Sequence, residues 1–273
     1  MDNRVKRLSK DRLGKLEQRF LSYQQLKRLN TIRTGELSSV LSLTALQENK
    51  VLSRLARAGV IARLKRGVYL FPTRLPMGGV WTPSEYLILQ ELMKAWNDGT
   101  YQICGWEVFN RYGFTEQVPT RVYAYNNRLF GDRTIGGQAF TFIKVADARL
   151  GGTAISQTPE GVEVVLPTKA RALMDAVYDW SRFGTLPAAY GWIREAVQTD
   201  RSLADDLARM ASRYGNQGTM RRIGCLLESL GLRGKWKKQM QKALRQSASL
   251  IPLVPGRKAR GTVNREWGVI VNE

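Results

Sequence analysis

TGELSSVLSLTALQENKVLSRLARAGVIARLKRGVYLFP, residues 34–72, is the stretch whose reading decides the fold. Thr34 stands where a side-chain cap would open a short helix through Glu36, Leu37, Val40 and Leu41. Ser42 and Leu43 make a tight connection. Thr44 with Gln47 three residues on has capping-box spacing for a second helix. In that helix Val51, Leu52, Leu55, Ala56 and Gly59 share one face at helical spacing, and Gln47, Lys50, Arg54 and Arg57 share the other. Gly59 is a natural helix stop. Ile61 to Leu64, a basic turn Lys65–Arg66–Gly67, and Val68 to Phe71 then read as a small hairpin closed by Pro72. Helix, turn, helix and a basic-tipped hairpin predict a winged helix-turn-helix.

A polar, cationic helix face of this kind fits the major groove, where Arg and Lys pair with guanine edges and Gln or Asn with adenine. The residues expected in or beside the groove are Thr44, Gln47, Asn49, Lys50, Ser53, Arg54 and Arg57. Arg63, Lys65 and Arg66 on the wing are expected at phosphates or the minor groove. A cationic face also occurs on a plain solvated helix, and helix-turn-helix shapes also serve protein contacts. Here helix, hairpin and regional charge agree, which favours DNA.

At 273 residues the chain has room for about two domains, each with its own core. The net charge of +20 is uneven. Met1 to Pro72 holds 16 basic and 5 acidic residues, Thr73 to Leu230 holds 17 and 16, and Gly231 to Glu273 holds 10 and 2. Positive charge gathered at both ends favours a polyanion partner, because neutralised phosphates release counterions. No amphipathic basic helix with Trp and Phe on one face points to a membrane surface instead. The absence of His excludes His-based acid–base catalysis and His-ligated metal sites. Cys104 and Cys225 form no CxxC pattern and read as buried thiols rather than a disulfide or zinc site. With no signal peptide and no apolar run of membrane-spanning length, the expected compartment is the cytoplasm.

Upstream of the deciding stretch, a helix is expected around Asp11–Leu21 and the first helix of the winged domain at Tyr23–Leu29. The first ten residues read as a disordered end or as an arm that touches phosphates, with disorder favoured. Downstream, Pro76–Met77–Gly78–Gly79 reads as a linker. A helix then opens at Thr82–Pro83–Ser84–Glu85, with Pro83 suited to its first turn. A strand at Tyr101–Cys104, a helix ending at Gly113, an antiparallel meander over Thr120–Tyr125, Thr134–Ile135 and Ala139–Val145, and a strand at Gly161–Leu166 follow. Leu203–Leu207 and Gly218–Leu230 are amphipathic helices. Lys235–Leu244 is a basic helix with Trp236, Met240 and Leu244 on its apolar side. There Lys235, Lys237, Lys238, Lys242 and Arg245 form either a solvated face or a second polyanion contact. The fold class is therefore α+β: a winged helix-turn-helix with an N-terminal helical extension over residues 1–75, then a larger mixed α+β domain with an antiparallel sheet over residues 80–273.

Catalysis finds little support. Gly231–Leu232–Arg233–Gly234–Lys235 has too short a glycine spacing for a P-loop and no Ser or Thr after the Lys. Asp175 and Asp179, four apart on one helix, read as a charge pair near Arg171 and Arg182 rather than as paired catalytic carboxylates. Glu160, Glu163 and Lys169 lack the spacing of a metal-binding nuclease core. No cofactor, metal or enzymatic activity is expected.

The phrase Leu64–Lys65–Arg66–Gly67–Val68–Tyr69–Leu70–Phe71–Pro72 resembles the N-terminal domain of the AbiEi family, antitoxins of abortive-infection (phage-defence) systems that also repress their own promoters. Gly105–Trp106 through Val118–Pro119 is similar to the family's helix that ends before a strand, with Phe114 in place of the usual Leu. Pro167 through Ala176 resembles the helix opening its C-terminal half, Asn216 through Glu228 its Arg-bearing helix, and Asn264 through Asn272 its closing strand. The resemblance runs in order along nearly the whole chain. It implies an N-terminal domain that binds inverted repeats in its operon's promoter and a C-terminal domain that neutralises a cognate nucleotidyltransferase toxin. It also implies two bound copies, one per repeat, from a protein that can be monomeric in solution. The other reading of the same residues is a stand-alone winged-helix transcription factor with a ligand-sensing or dimerising second domain.

Overall fold

The computed structural model describes residues 14–27, 29–74, 80–232, 234–245 and 247–272. The basic first ten residues and the Pro76–Gly79 linker lie outside them. The elements in order are α1 (Lys15–Lys27), β1 (Thr31–Arg33), α2 (Glu36–Leu41), α3 (Ala45–Arg57), β2 (Ala62–Lys65), β3 (Val68–Leu70), α4 (Glu85–Ala95), β4 (Tyr101–Cys104), α5 (Trp106–Arg111), β5 (Val122–Asn126), β6 (Gly131–Ile135) and β7 (Gln138–Lys144). There follow β8 (Thr153–Gln157), β9 (Glu163–Pro167), α6 (Lys169–Tyr178), α7 (Trp180–Phe183), α8 (Ala188–Thr199), α9 (Leu203–Tyr214), α10 (Gln217–Ser229), α11 (Trp236–Ala243), β10 (Ile251–Pro252), β11 (Thr262–Asn264) and β12 (Val269–Val271). The chain is mixed α+β, with sheets ordered β1-β3-β2, β4-β5-β7-β6, β8-β9 and β10-β12-β11. Pairing is antiparallel in β1–β3, β2–β3, β4–β5 and β11–β12, and parallel in β10–β12.

Two compact units divide the chain: one takes in residues 1–99, 130–141 and 157–164, the other residues 100–129, 142–156 and 165–273. In the first, α3 turns Val51, Leu52 and Leu55 into a core with Phe20 and Leu21 of α1, Leu37 of α2, and Ile32, Tyr69 and Phe71. Phe20 and Phe71 meet with ring centroids 5.1 Å apart. Each fully buried Leu or Phe here stabilises the fold by about 1.5–3 kcal/mol relative to exposure. Where the sequence suggested two helices before the turn, α1 is continuous, since nothing between Leu21 and Tyr23 breaks it. It ends where the Gln24 side-chain amide donates to the Leu29 carbonyl at 2.6 Å. Strand β1, too short to show a period, pairs Thr31 with Leu70, Ile32 with Tyr69 and Arg33 with Val68.

The start of α2 differs from the sequence reading in its cap. The N-cap is Gly35 at φ 105°, and no side chain of its own caps it. The Glu48 carboxylate reaches across from α3 and accepts from the backbone N–H of Gly35 at 2.8 Å and of Leu37 at 3.1 Å, and from the Ser38 hydroxyl at 3.1 Å. Thr34, the expected cap, instead donates its backbone N–H to the Gly67 carbonyl at 2.9 Å. Similarly, α4 is capped by Ser84, whose hydroxyl accepts from the Leu87 N–H at 3.3 Å, so Pro83 precedes the cap.

In the second unit, α6, α8, α9, α10 and α11 pack around one core that includes Leu173, Ile193, Leu207, Ile223, Trp236 and Met240. Trp236 of α11 stacks on Trp267 at 6.0 Å. Gly224 makes room for that stack: a Cβ there would lie 2.3 Å from the Trp267 ring. Lys237 lies between two carboxylates, 2.6 Å from Glu228 and 2.7 Å from Glu266. Sheet order β4-β5-β7-β6 places β7 between β5 and β6, so the expected meander does not form.

Two outcomes follow. Glu48→Ala leaves the buried Leu37 N–H and the partly buried Gly35 N–H without their acceptor; a buried donor left unpaired costs about 1–3 kcal/mol, so urea unfolding of the variant is expected to show a loss of roughly 1–3 kcal/mol. A loss below about 0.5 kcal/mol would remove Glu48 from its role as the cap. For Glu228, burial works to raise the pKa, but hydrogen bonds from Lys237 and Asn264 and the Lys237 charge prevail and hold it at about 2 against an ordinary 4.5. A depressed carboxylate contributes stability that is full above its unfolded pKa and is lost as pH falls through its folded one. Glu228→Gln should therefore flatten the loss of stability between pH 4.5 and about 2. Parallel acid-denaturation curves for variant and wild type would contradict this.

Candidate nucleic-acid interface

The turn between α2 and α3 is three residues long, and Ser42 takes φ 52°, ψ 48° to make it. Thr44 then opens α3 with a complete capping box. Its hydroxyl accepts from the Gln47 N–H at 3.2 Å, and its own N–H donates to the Gln47 side chain at 2.9 Å. At the other end the Val60 N–H returns to the Leu55 carbonyl at 3.0 Å and the Gly59 N–H to Ala56 at 3.1 Å, with Gly59 at φ 71°. That is a Schellman stop, and it needs a glycine at the left-handed position. Both ends of α3 are thus set by local hydrogen bonds, as the sequence suggested.

Between those ends the helix is two-faced. Glu48, Val51, Leu52 and Leu55 are buried. Thr44, Gln47, Asn49, Lys50, Arg54 and Arg57 are exposed and Ser53 is half-buried. Asn49, Lys50, Ser53, Arg54 and Arg57 line one open concavity on that face. The structure brings these sequence-selected residues together. Arg54 also has a partner the sequence gave no sign of: its Nη1 lies 2.7 Å from Oε1 of Glu17 on α1, a carboxylate only 4% exposed while the arginine is 65% exposed. Glu17 therefore pairs with the guanidinium through its buried carboxylate while most of the arginine side chain stays exposed. The pairing joins α1 to α3 across thirty-seven positions, so only the packing of the two helices shows it.

The hairpin divides its cations. Arg63 in β2 and Arg66 at the turn are exposed. Lys65 belongs to β2 rather than to the turn, which is Arg66–Gly67. Its ammonium donates to the Ala95 carbonyl and sits 4.6 Å above the Trp96 ring. It fastens the hairpin to the end of α4.

In the C-terminal unit, Lys235, Lys238, Lys242 and Arg245 on and beside α11 are exposed. Lys237 is committed to Glu228 and Glu266. Of the carboxylates weighed for catalysis, Asp175 and Asp179 are engaged internally, and Glu160 and Glu163 are exposed. Asp175, 2% exposed, is ion-paired with Arg149 and with Arg171 Nε at 2.9 Å, and Asp179 accepts from the Tyr125 hydroxyl at 2.5 Å. Cys104 and Cys225 are buried and not joined in a disulfide, and burial pushes the Cys104 thiol well above its ordinary pKa. Among the described residues no group of three or more His, Cys, Asp or Glu is placed to hold a metal ion, and no helix is long and apolar enough to cross a membrane.

The crystal structure of the RV2827C protein from Mycobacterium tuberculosis superposes with a TM-score of 0.58, over 94% of this chain and 92% of that one, at 15% identity. At that identity the likeness speaks for the fold alone. None of the curated proteins matches the chain. Residues 21–72, which hold the second half of α1, helices α2 and α3 and the β2–β3 hairpin, match the family model described as "Transcriptional regulator, AbiEi antitoxin". Over residues 21–72 the chain is similar to the AbiEi antitoxin family of transcriptional regulators.

Proposed function

We propose that this protein is a repressor and antitoxin whose N-terminal part, residues 1–75, binds double-stranded DNA as a winged helix-turn-helix at inverted repeats in its own operon's promoter. The observation that carries the reading is the outer face of α3, where Gln47, Asn49, Lys50, Ser53, Arg54 and Arg57 stand together on a helix whose other face is core. Side chains of this composition on the second helix of a helix-turn-helix are suited to base edges. Arg63 and Arg66 supply phosphate or minor-groove contacts from the hairpin, with Lys65 as the hairpin's anchor. Residues 80–273 neutralise a cognate nucleotidyltransferase toxin in the cytoplasm, without catalysis and without a cofactor. One copy occupies each repeat. Lys235, Lys238, Lys242 and Arg245 provide a second polyanion contact.

The test is a gel shift on the protein's own upstream region against unrelated DNA, across a salt series. Wild type is expected to prefer its own region. Arg54→Ala/Arg57→Ala should lose roughly tenfold or more, since one bidentate base contact contributes about 1–3 kcal/mol. The salt slope should fall by about one for each phosphate contact removed. Equal, steeply salt-dependent binding to both DNAs would reduce the interface to generic charge. Repression and neutralisation are separable in the full chain: the double variant should derepress a promoter fusion yet still rescue cells expressing the toxin. A point variant serves better than removal of residues 1–75, because residues 130–141 and 157–164 are part of the same compact unit. Failure to rescue would overturn the division of labour.

Glu17→Gln provides a finer check on the same face. Without the carboxylate charge Arg54 is no longer held, so specific affinity should fall several-fold while the salt slope stays near that of wild type, because no phosphate contact is removed. An increase in affinity would mean that Glu17 competes with DNA for the arginine rather than aiming it.

A further inference from the structure

Leu46 is the residue of α3 that the polar reading of the helix leaves unexplained. It lies in the first turn, one residue after Ala45 opens the helix, and 66% of its surface is exposed. Its neighbours on the helix surface are the residues three and four further on, Asn49 and Lys50, and one turn beyond them Ser53. Leu46 therefore heads the stripe that continues through the concavity lined by Asn49, Lys50, Ser53, Arg54 and Arg57. It points away from the core face, where Glu48, Val51, Leu52 and Leu55 are buried. A scattered exposed leucine is ordinary on a protein surface. This one occupies the part of a second helix that comes nearest the base edges when such a helix enters the major groove.

The major groove offers one apolar feature, the C5-methyl group of thymine. We infer that Leu46 reads a thymine methyl, as an apolar specificity contact at the head of the polar and cationic stripe. The inference rests on the DNA-binding reading above and names a base that reading leaves open. The surrounding charge supports DNA as the occupant rather than a second copy of this chain. Lys50, Arg54 and Arg57 share the face, and a self-contact across a two-fold axis would bring these like charges together. A duplex would bring phosphates to them.

Uracil differs from thymine only by lacking the C5-methyl, so replacing one with the other tests the contact without altering base pairing. The protected half-site in the protein's own upstream region is first located by footprinting. Each of its thymines is then replaced in turn by uracil. The duplexes are titrated with full-length wild type, Leu46→Ala and Leu46→Met near physiological salt. Wild type is expected to lose about fourfold in affinity at one thymine position, the magnitude of one buried methyl group. Leu46→Ala should bind the thymine duplex several-fold more weakly and should not distinguish uracil from thymine there, whereas Leu46→Met should retain discrimination. Alanine at an exposed helix position favours the helix, so a matching melting temperature for Leu46→Ala separates lost contact from lost fold. Equal thymine–uracil ratios for wild type and Leu46→Ala at every position would overturn the inference while leaving DNA binding intact. So would a wild type indifferent to uracil throughout, or a Leu46→Ala variant changed only in its self-association. Wild type that fails to prefer its own upstream region at all would remove the DNA-binding reading and this inference with it.

Discussion

The Glu48 carboxylate is the contact on which the presentation of α3 depends. It is 1% exposed and takes three donors from the start of α2, two of them backbone N–H groups that the helix itself leaves without partners. The negative charge also meets the positive end of the α2 dipole. Two helices joined by three residues could adopt many crossing angles; a buried multi-acceptor bridge between them selects one. The hairpin is tied to the same joint, because Thr34 just before α2 donates to Gly67 in the hairpin turn. Helix, turn and hairpin are thereby held through a few hydrogen bonds within one small core.

Net charge alone would have misjudged this surface. The N-terminal region carries eleven more positive than negative charges, yet its cations do not act alike. Lys65 is drawn to the Ala95 carbonyl and the Trp96 ring, a cation–π arrangement that fastens the hairpin. Arg54 is paired with Glu17, an ion pair in which only the carboxylate is desolvated. Such a pair contributes modestly to stability because its arginine remains in water. Its larger effect is to restrict the rotamers of a long side chain, which lowers the entropy lost when that side chain meets a partner. On α11, Lys237 is drawn between Glu228 and Glu266, and Lys235, Lys238 and Lys242 are exposed. A count of basic residues therefore overstates what reaches solvent.

The features legible in the sequence are those whose cause is local. The Thr44–Gln47 capping box, the Gly59 stop, the buried and exposed faces of α3 and the strand Tyr101–Cys104 each follow from residues within a few positions of one another. What escaped depends on distant partners. Thr34 looked like a cap, and only the fold shows that Glu48, fourteen positions later, does the capping. Lys65 reads as a wing cation for phosphate or the minor groove because its partner, Trp96, is more than thirty residues away, and the Glu17–Arg54 pair spans a similar separation. Strand β1 has three residues, too few for alternation to be seen. The order of the four-stranded sheet is a property of pairing, and no single strand encodes it. Leu46 escaped for a different reason: a search for polar and cationic readers passes over a leucine.

That omission bears on how such a head would select its site. Contacts between Lys or Arg and phosphate supply affinity that falls steeply with salt and is blind to sequence. A chain with net charge +20 has this term in abundance, and abundance on unrelated DNA works against selectivity. Selection must then come from groups that gain little from the phosphate field. In the proposed reading these on α3 are the amides of Gln47 and Asn49 and the apolar side chain of Leu46, beside the guanidinium of Arg54, whose attraction to phosphate is partly offset by its pairing with Glu17. Their contacts depend on geometry, and the geometry is set by the two ends of α3 and by the buried carboxylate of Glu48. If α3 enters DNA as proposed, the same carboxylate that stabilises the start of α2 also bears on which base pairs its outer face would distinguish.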